Sequence, residues 1–516
     1  MISDAEFAEL KAENERLKSQ NTELQQKLEW FMEQFRLARH QRFGSSSEQT
    51  SPDQISLFNE AEAEADPAAP EPEIETIKAY VRRKAGQVGL DRLPEDLPVE
   101  EIVHELPPEE RCCPDCGNAL HVMGREEREE LKFVPAKAVI VRYVSHTYAC
   151  RHCEKNADNV PIIKAPMPEP VIKGSFASPE AIAHIAHEKF VMGSPLYRQE
   201  ADWKRKGIPL SRQTMANWLI RATNDWLTPI YSRLKELLLE HQVLHGDETV
   251  LQVLHEDGKS ATSKSYMWLY RTGCGAKWQI VIFEYQPDRK AVHPVEFLDK
   301  FEGYLHADGY AGYHNLKKEI TVVGCWSHAR RKFFDMIKTL PKEKRAATQA
   351  ARGVAFCDRL FALEDDYEKL PSDDNYKARY EARLEKSKPV VEEFYAWCRS
   401  LDVMPRSGMG KAVGYAQDQR FWLENFLCDG RLELSNNRAE NAIRPFTLGR
   451  KNWLFANTEK GAKTTAVLYS LIETAKANDI NPYDYLTHVF KTAPNSDFST
   501  NPATLESLLP LQLYPK

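Results

Sequence analysis

The sequence has no apolar run approaching the roughly 18 residues a bilayer-spanning helix requires, and hydrophobic residues make up only 42% of its 516. That excludes a helical membrane protein. Cysteine is scarce, at ten residues, which excludes a disulfide-built secreted scaffold. The first residues are polar and acidic and lack the basic-then-apolar order of a secretory signal. The expectation is a cytoplasmic, nucleoid-associated protein with no membrane partner. Positive charge is also in deficit, with 69 Lys and Arg against 76 Asp and Glu, a net of −7. At face value this argues against nucleic acid as a partner, but the deficit is local. Residues 44–110 hold 17 acidic and 5 basic residues, a net of −12, so the rest of the chain carries −7 + 12 = +5. An acidic segment masks a mildly basic body.

What is present begins with heptads. Phe7, Asn14, Asn21, Leu28 and Phe35 fall on one seam position, and Leu10, Leu17, Leu24, Phe31 and Ala38 on the other. Nearly everything outside this stripe is charged or amide. So narrow an apolar stripe predicts a coiled coil over residues 1–43, and with it a homo-oligomer, at least a dimer. Asn14 and Asn21 on the seam would fix register at some cost in stability. A single amphipathic helix packed on its own domain is the alternative. Residues 44–95, rich in Ser, Glu, Ala and Pro, cannot bury enough apolar surface to offset their ordering entropy and read as an acidic disordered linker.

In residues 96–165, Cys113-Pro-Asp-Cys116 and Cys150-Arg-His-Cys153 flank the strand-like Ala138-Val-Ile-Val-Arg-Tyr-Val144. Two such knuckles joined through a hairpin describe a zinc ribbon with one structural Zn2+, whose binding supplies the folding energy of a small domain. The loop between the pairs is longer than the common pattern. Cys112 and His152 are spare candidates and read as bystanders.

Residues 166–240 read as a helical DNA-binding region. Ser178 and Pro179 start one helix. Leu196–Lys206 gives a second, Gly207 a turn, and Ser211 caps a third over Arg212–Ala222. The second and third resemble a helix-turn-helix, placing Arg212, Gln213 and Asn217 on the reading helix. Many structural helical hairpins share that pattern.

Residues 241–478 begin with three strand candidates, Val243–Leu254, Tyr266–Arg271 and Gln279–Tyr285. A helix near 290–301 and two further apolar runs follow, ending at Ala307 and near Trp326. Strands interleaved with helices in this order predict an α/β fold, the mixed sheet of ribonuclease-H-like nucleases, interrupted by a helical insertion at 341–428 that breaks at Pro371 and Pro389. A helix carrying Glu440 follows and is expected to stop at Pro445. An apolar-periodic helix spans about 463–478, and residues 479–516 form a C-terminal tail.

Three acids stand in blocks of unusual composition: Asp247 in His245-Gly-Asp-Glu-Thr249, Asp308 in His306-Ala-Asp-Gly-Tyr310, and Glu440 in Asn436-Asn-Arg-Ala-Glu-Asn-Ala-Ile-Arg-Pro445. Two strand-borne aspartates and a helix-borne glutamate can converge on a pair of divalent metals that cut phosphodiesters. Each also has a plain alternative. Asp247 could cap a turn, leaving Glu248 as the functional acid, since only one of the two can face a given side of a strand. Asp308-Gly309 could be an ordinary turn, and Asn437-x-x-Glu440 a capping-box variant. Glu424 and Glu433 are the next candidates for the third acid.

With Cys325-Trp-Ser-His-Ala-Arg-Arg-Lys-Phe333 and Tyr469-Ser-Leu-Ile-Glu-Thr-Ala-Lys476, these blocks make the chain resemble the transposases of the bacterial insertion-sequence-66 family from end to end. The resemblance implies that Asp247, Asp308 and Glu440 are metal-binding DDE acids holding two Mg2+ (or Mn2+) per active site. It implies double-stranded DNA, both element ends and target, as the partner, and small accessory proteins from the same element. Strand cleavage would free a 3′-OH that is then joined to target DNA, with no Ser or Tyr intermediate. Arg330, Arg331, Arg444, Arg450 and Lys451 are expected to touch DNA. A nuclease or resolvase that cuts without joining, and a zinc-dependent dimeric DNA-binding regulator, are the rival readings.

Overall fold

A computed structural model describes residues 138–149 and 162–511, apart from 339 and 371–375, together with short helical stretches between residues 11 and 32. The chain divides into two units, one of residues 43–149 and one of residues 1–42 with 150–516. In the first, the described residues contain one strand, Thr147–Ala149. The strand-like run Ala138–Val144 is not part of it: residues 138–146 join no ladder. Cys113, Cys116, Cys150 and Cys153 lie outside the described residues, as do the acidic linker and most heptad positions. Where residues 11–32 are described they are helical and exposed, and the seam residues Leu17, Leu24, Leu28 and Phe31 are 53–64% accessible.

The larger unit opens, after a short strand Ile162–Lys164, with four helices. They are α1 (Pro179–Phe190), α2 (Leu196–Arg205), α3 (Arg212–Ala222) and α4 (Thr228–Leu239). Ser178 and Ser211 cap α1 and α3 through their side chains, as the sequence predicts. A turn through Gly207, at φ 78°, separates α2 from α3, a backbone conformation that suits glycine.

Strands β1 (Val243–His255), β2 (Lys264–Thr272) and β3 (Val281–Gln286) form an antiparallel meander. Helix α5 (Val292–Phe297) leads to β4 (Gly303–His306), and β5 (Ile320–Val323) follows. β4 pairs parallel to β1, and β5 parallel to β4, giving the order β3-β2-β1-β4-β5.

Helix α6 (Trp326–Ile337) enters the insertion. There α7 (Gln349–Tyr367), α8 (Lys377–Ala382), α9 (Lys388–Ser400), α10 (Gly408–Asp418) and α11 (Arg420–Glu424) build a second apolar core around Phe333, Phe394 and Trp397. The expected break at Pro389 does not occur. Residues 377–400 are continuously helical, with a π-helical turn, Arg383–Ser387, between α8 and α9. A wider turn beside a proline relieves the clash between its ring and the preceding carbonyl. The same device stands at Thr223–Leu227, just before Pro229.

Helix α12 (Asn437–Trp453), strand β6 (Ala456–Thr458), α13 (Glu459–Ala477), α14 (Pro482–Thr492) and α15 (Pro502–Ser507) complete the unit. α12 does not stop at Pro445 but runs through it. Its buried face of Ala439, Ala442, Ile443, Phe446 and Gly449 holds the helix together where one backbone hydrogen bond is lost. α13 covers the β3 edge of the sheet. Phe283 N–H donates to Ser470 Oγ at 2.8 Å and Val281 N–H to Thr474 Oγ1 at 3.0 Å, so hydroxyls satisfy donors that a neighbouring strand would otherwise take.

Candidate active site

The register of two parallel strands sets the site. His245 on β1 pairs with His306 on β4, and each begins a His-x-Asp triplet. Side chains two apart share one face of a strand, and neighbouring strands lie about 4.8 Å apart. Equal offsets from paired histidines therefore bring Asp247, within β1, close to Asp308, just past the end of β4, near enough for the Asp308 charge to act on the Asp247 carboxyl. The histidines stack, with ring centroids 4.3 Å apart and planes 10° from parallel. Asp308 also makes the turn its Asp-Gly sequence suggests, accepting from Tyr310 N–H at 2.9 Å.

The neighbouring Glu248 points to the other face. It ion-pairs with Arg289 and accepts from Tyr313 Oη at 2.9 Å. Its carboxyl is raised by burial and by Asp308, against the pull of Arg289. Asp247 is pushed well above the usual carboxylate range, first by burial, then by the charges of Glu248, Asp308 and Glu440, against one hydrogen bond from Glu248 N–H. Asp247 thus feels both other members of the trio.

Glu440 arrives on the first turn of α12. The N-cap is Asn436, whose side chain makes no capping bond, and Glu440 lies four residues beyond it, one past the capping-box position. Instead Glu440 Oε2 accepts from Arg331 at 3.3 Å. Oε1 is buried without a hydrogen bond and lies 3.6 Å from His328 Nδ1, itself buried and unbonded. Ligand atoms of Cys325, His328 and Glu440 fall within 4.8 Å of one another. Burial pushes the Cys325 thiol up to about 11, so at neutral pH it is a hydrogen-bonding thiol that accepts from Asn436 N–H at 3.1 Å.

A buried latch absent from the sequence reading holds α12 to the strands. Asn436 Nδ2 donates to Gly246 O at 2.8 Å, and its Oδ1 lies 3.0 Å from His245 Nδ1. Glu433 Oε2 lies 2.8 Å from His245 Nε2, Arg438 contacts the same carboxylate at 3.0 Å, and Glu433 N–H donates to His306 Nε2 at 3.2 Å. Burial raises the Glu433 pKa, but His245 and Arg438 outweigh it and hold the carboxyl well below its usual range. Glu433 is therefore a latch residue, and Glu424 pairs with Arg420 at 2.8 Å on the surface. The signal for the latch was in the sequence, in the twice-repeated His-x-Asp.

The expected DNA-contacting residues are dispersed. Arg212, Gln213 and Asn217 are exposed along α3, whose opposite face buries Met215, Trp218 and Leu219. Arg212 also lies 3.9 Å from Glu200. Arg331 stands at the site on Glu440, whereas Arg330 pairs with Asp358 at 2.5 Å. Arg450 reaches back to β1, donating to Thr249 Oγ1 at 3.0 Å and to Val250 O. Arg444 is half-buried and Lys451 exposed.

Residues 174–464 match the family described as "Transposase IS66 family". The chain belongs to that family. Residues 110–154 match "zinc-finger binding domain of transposase IS66", 30–102 match "Transposase C of IS166 homeodomain", and 470–511 match "IS66 C-terminal element". Among curated proteins, the IS66 chain is 31% identical over 442 residues to an uncharacterized protein of Sinorhizobium fredii (strain NBRC 101917 / NGR234), covering 83% of each. A second uncharacterized protein of the same strain is 32% identical over 437 residues, 81% of this chain and 76% of that one. The IS66 zinc-finger match contains all four thiolates of the expected ribbon. Among the described residues no helix is long and apolar enough to cross a membrane.

Proposed function

We propose that this IS66-family transposase cuts and joins DNA at a DDE site formed by Asp247, Asp308 and Glu440. The observation that carries the proposal is that Asp247 within β1 and Asp308 just past β4 stand on paired parallel strands, and that Asp308 and Glu440, at the start of α12, both act on the Asp247 carboxyl. The sheet order β3-β2-β1-β4-β5, antiparallel in its first three strands and parallel beyond, supports a ribonuclease-H-like core.

The acids fit divalent cations: Glu440 keeps an unbonded buried oxygen, and Asp247 is destabilised as an anion first by burial and then by the carboxylates around it. Asp247, Asp308 and Glu440 would hold two Mg2+ or Mn2+ ions, hard cations suited to carboxylate oxygen. Bound there, such a pair activates the attacking oxygen and neutralises charge on the leaving one. Arg331 orients Glu440 and presents a cation toward a phosphate. Asn436, His245 and Glu433 fix the start of α12 against β1, so that Glu440 meets the aspartates without reorganisation. Cys113, Cys116, Cys150 and Cys153 would hold one structural Zn2+. Paired heptads would make the protein at least a dimer on double-stranded DNA, with α3 presenting Arg212, Gln213 and Asn217.

The test is cleavage and strand transfer on duplexes carrying the element's terminal inverted repeats. Asp247→Asn, Asp308→Asn and Glu440→Gln should each lower both reactions by about two orders of magnitude or more, the scale of losing one group that stabilises transition-state charge. End-DNA binding should persist. Glu248→Gln should keep substantial activity while losing about 1 kcal/mol of stability with its partners. Near-wild-type cutting by Glu440→Gln would overturn the third assignment, and cutting without joining would favour a nuclease.

A further inference from the structure

At the end of α12 the backbone adopts a conformation few side chains tolerate. Leu454 has φ 64° and ψ −51°, and Phe455 N–H donates to Trp453 O at 2.8 Å across it. This is a three-residue γ-turn of the rare hand, strained for any residue with a Cβ and worse for a bulky one. Strain of this kind persists where surrounding structure imposes it, and it concentrates at functional positions. The turn leads the chain from α12 into β6, which pairs with β1, yet it leaves Leu454 63% exposed and Phe455 42%. The turn holds two large apolar side chains out into solvent.

Its surroundings indicate what they meet. Asn452 Nδ2 donates to Gly193 O at 3.1 Å, which places the loop after α1 alongside, with Met192 64% exposed. That loop leads directly into α2, where Tyr197 and Arg198 are exposed, and then α3. Residues 450–463, which bracket the turn, carry Arg450, Lys451, Lys460 and Lys463 against Glu459 alone; the three lysines are exposed, and Lys463 lies 3.8 Å from Glu459. The apolar ridge is thus flanked along the chain by cations, stands at the far end of the helix that begins beside Glu440, and adjoins the loop that leads to the helices expected to read DNA. A phosphate backbone matches such a basic flank.

We propose that Leu454 and Phe455 form a wedge that inserts into the base stack of the bound element end and kinks it. Apolar wedges flanked by cations part base steps in this way, with the rim gripping the phosphates on either side. The inference rests on the transposase reading and deepens it. Fourteen residues separate Glu440 from Leu454, about 21 Å at 1.5 Å per residue. A duplex running along α12 would meet the wedge roughly six base pairs from the triad, at about 3.4 Å per base pair.

The test uses the full-length protein and terminal-repeat duplexes with single 2-aminopurines walked inward from the cleavage site. Binding of wild type should raise fluorescence severalfold at one step, near six base pairs in, and bend the duplex as read by end-to-end energy transfer. Leu454→Gly removes the wedge and also relieves the strain, so it should melt at or above the wild-type temperature while losing the fluorescence rise and the bend. Phe455→Ala should lose most of the fluorescence rise. Both variants should retain binding to undistorted DNA with an unchanged salt dependence, because no phosphate contact is removed. An unchanged fluorescence profile in both variants would overturn the wedge while leaving the transposase reading intact, and so would a fall in the melting temperature of Leu454→Gly accompanied by wild-type distortion. Failure of the wild-type protein to bind or cut terminal-repeat DNA would overturn both.

Discussion

Burial and three neighbouring carboxylates all oppose the ionisation of Asp247. Its folded pKa is raised above the unfolded value of about 3.9. The stability linked to it is therefore fully present below that pH and is lost as pH rises through the folded value. In chelator, Asp247→Asn should melt higher than wild type at neutral pH, and the gap should close as pH falls below about 4. Mg2+ should then raise the wild-type melting temperature, since a ligand bound only by the folded state stabilises it, and should do little for Asp247→Asn. Thermal melts across pH, with and without Mg2+, check both. Equal melting of the two proteins at neutral pH in chelator would remove the electrostatic argument for the site.

Single elements show where the sequence spoke clearly and where it did not. The α3 cap at Ser211, the Gly207 turn and the three-strand meander were legible because each depends on nearby residues: a hydroxyl before a helix, a glycine at positive φ, alternation along a strand. Pro389 and Pro445 misled for a related reason. A proline's local penalty is readable, but the π-turn and the buried face of α12 that accommodate it are set by packing. The Asp247 and Asp308 blocks were visible by composition, yet the latch between Glu433, His245 and Asn436 joins residues about 190 positions apart. The latch carries its own prediction. Glu433→Gln leaves Arg438 without its counter-charge and the buried His245 without its carboxylate neighbour, a change that costs about 3–5 kcal/mol in buried pairs, less here because Arg438 is 30% exposed. The variant should melt lower and cut more slowly while still binding divalent metal. Because the Glu433 carboxyl is depressed, its contribution is present above an unfolded value of about 4.3 and decays as pH falls through the folded value. Loss of metal binding in Glu433→Gln would instead make it a ligand.

For the whole molecule, the exposed seam of Leu17, Leu24, Leu28 and Phe31 predicts self-association. Removing residues 1–42 should reduce the solution mass toward that of a monomer, as read by light scattering, without changing the melting of the catalytic unit. A dimer that survives the deletion would place the interface elsewhere. Serine at Cys113, Cys116, Cys150 or Cys153 should release one zinc per chain by metal analysis, whereas Cys112→Ser should not. Reduced wild-type protein without zinc would refute the ribbon.

The position of the third acid also sets a timetable. Asp308 is made 132 residues before Glu440 and 166 before Thr474 (440 − 308 and 474 − 308). At bacterial synthesis rates that interval is on the order of ten seconds. Throughout it the β3 edge lacks Ser470 and Thr474, and the two aspartates have no glutamate to complete them. On the proposed triad, a chain still on the ribosome can expose its N-terminal region to DNA but should not cut it. Chains arrested before residue 436 should therefore be inert and prone to aggregate through the uncovered strand, and the ability to break DNA should appear only as translation finishes.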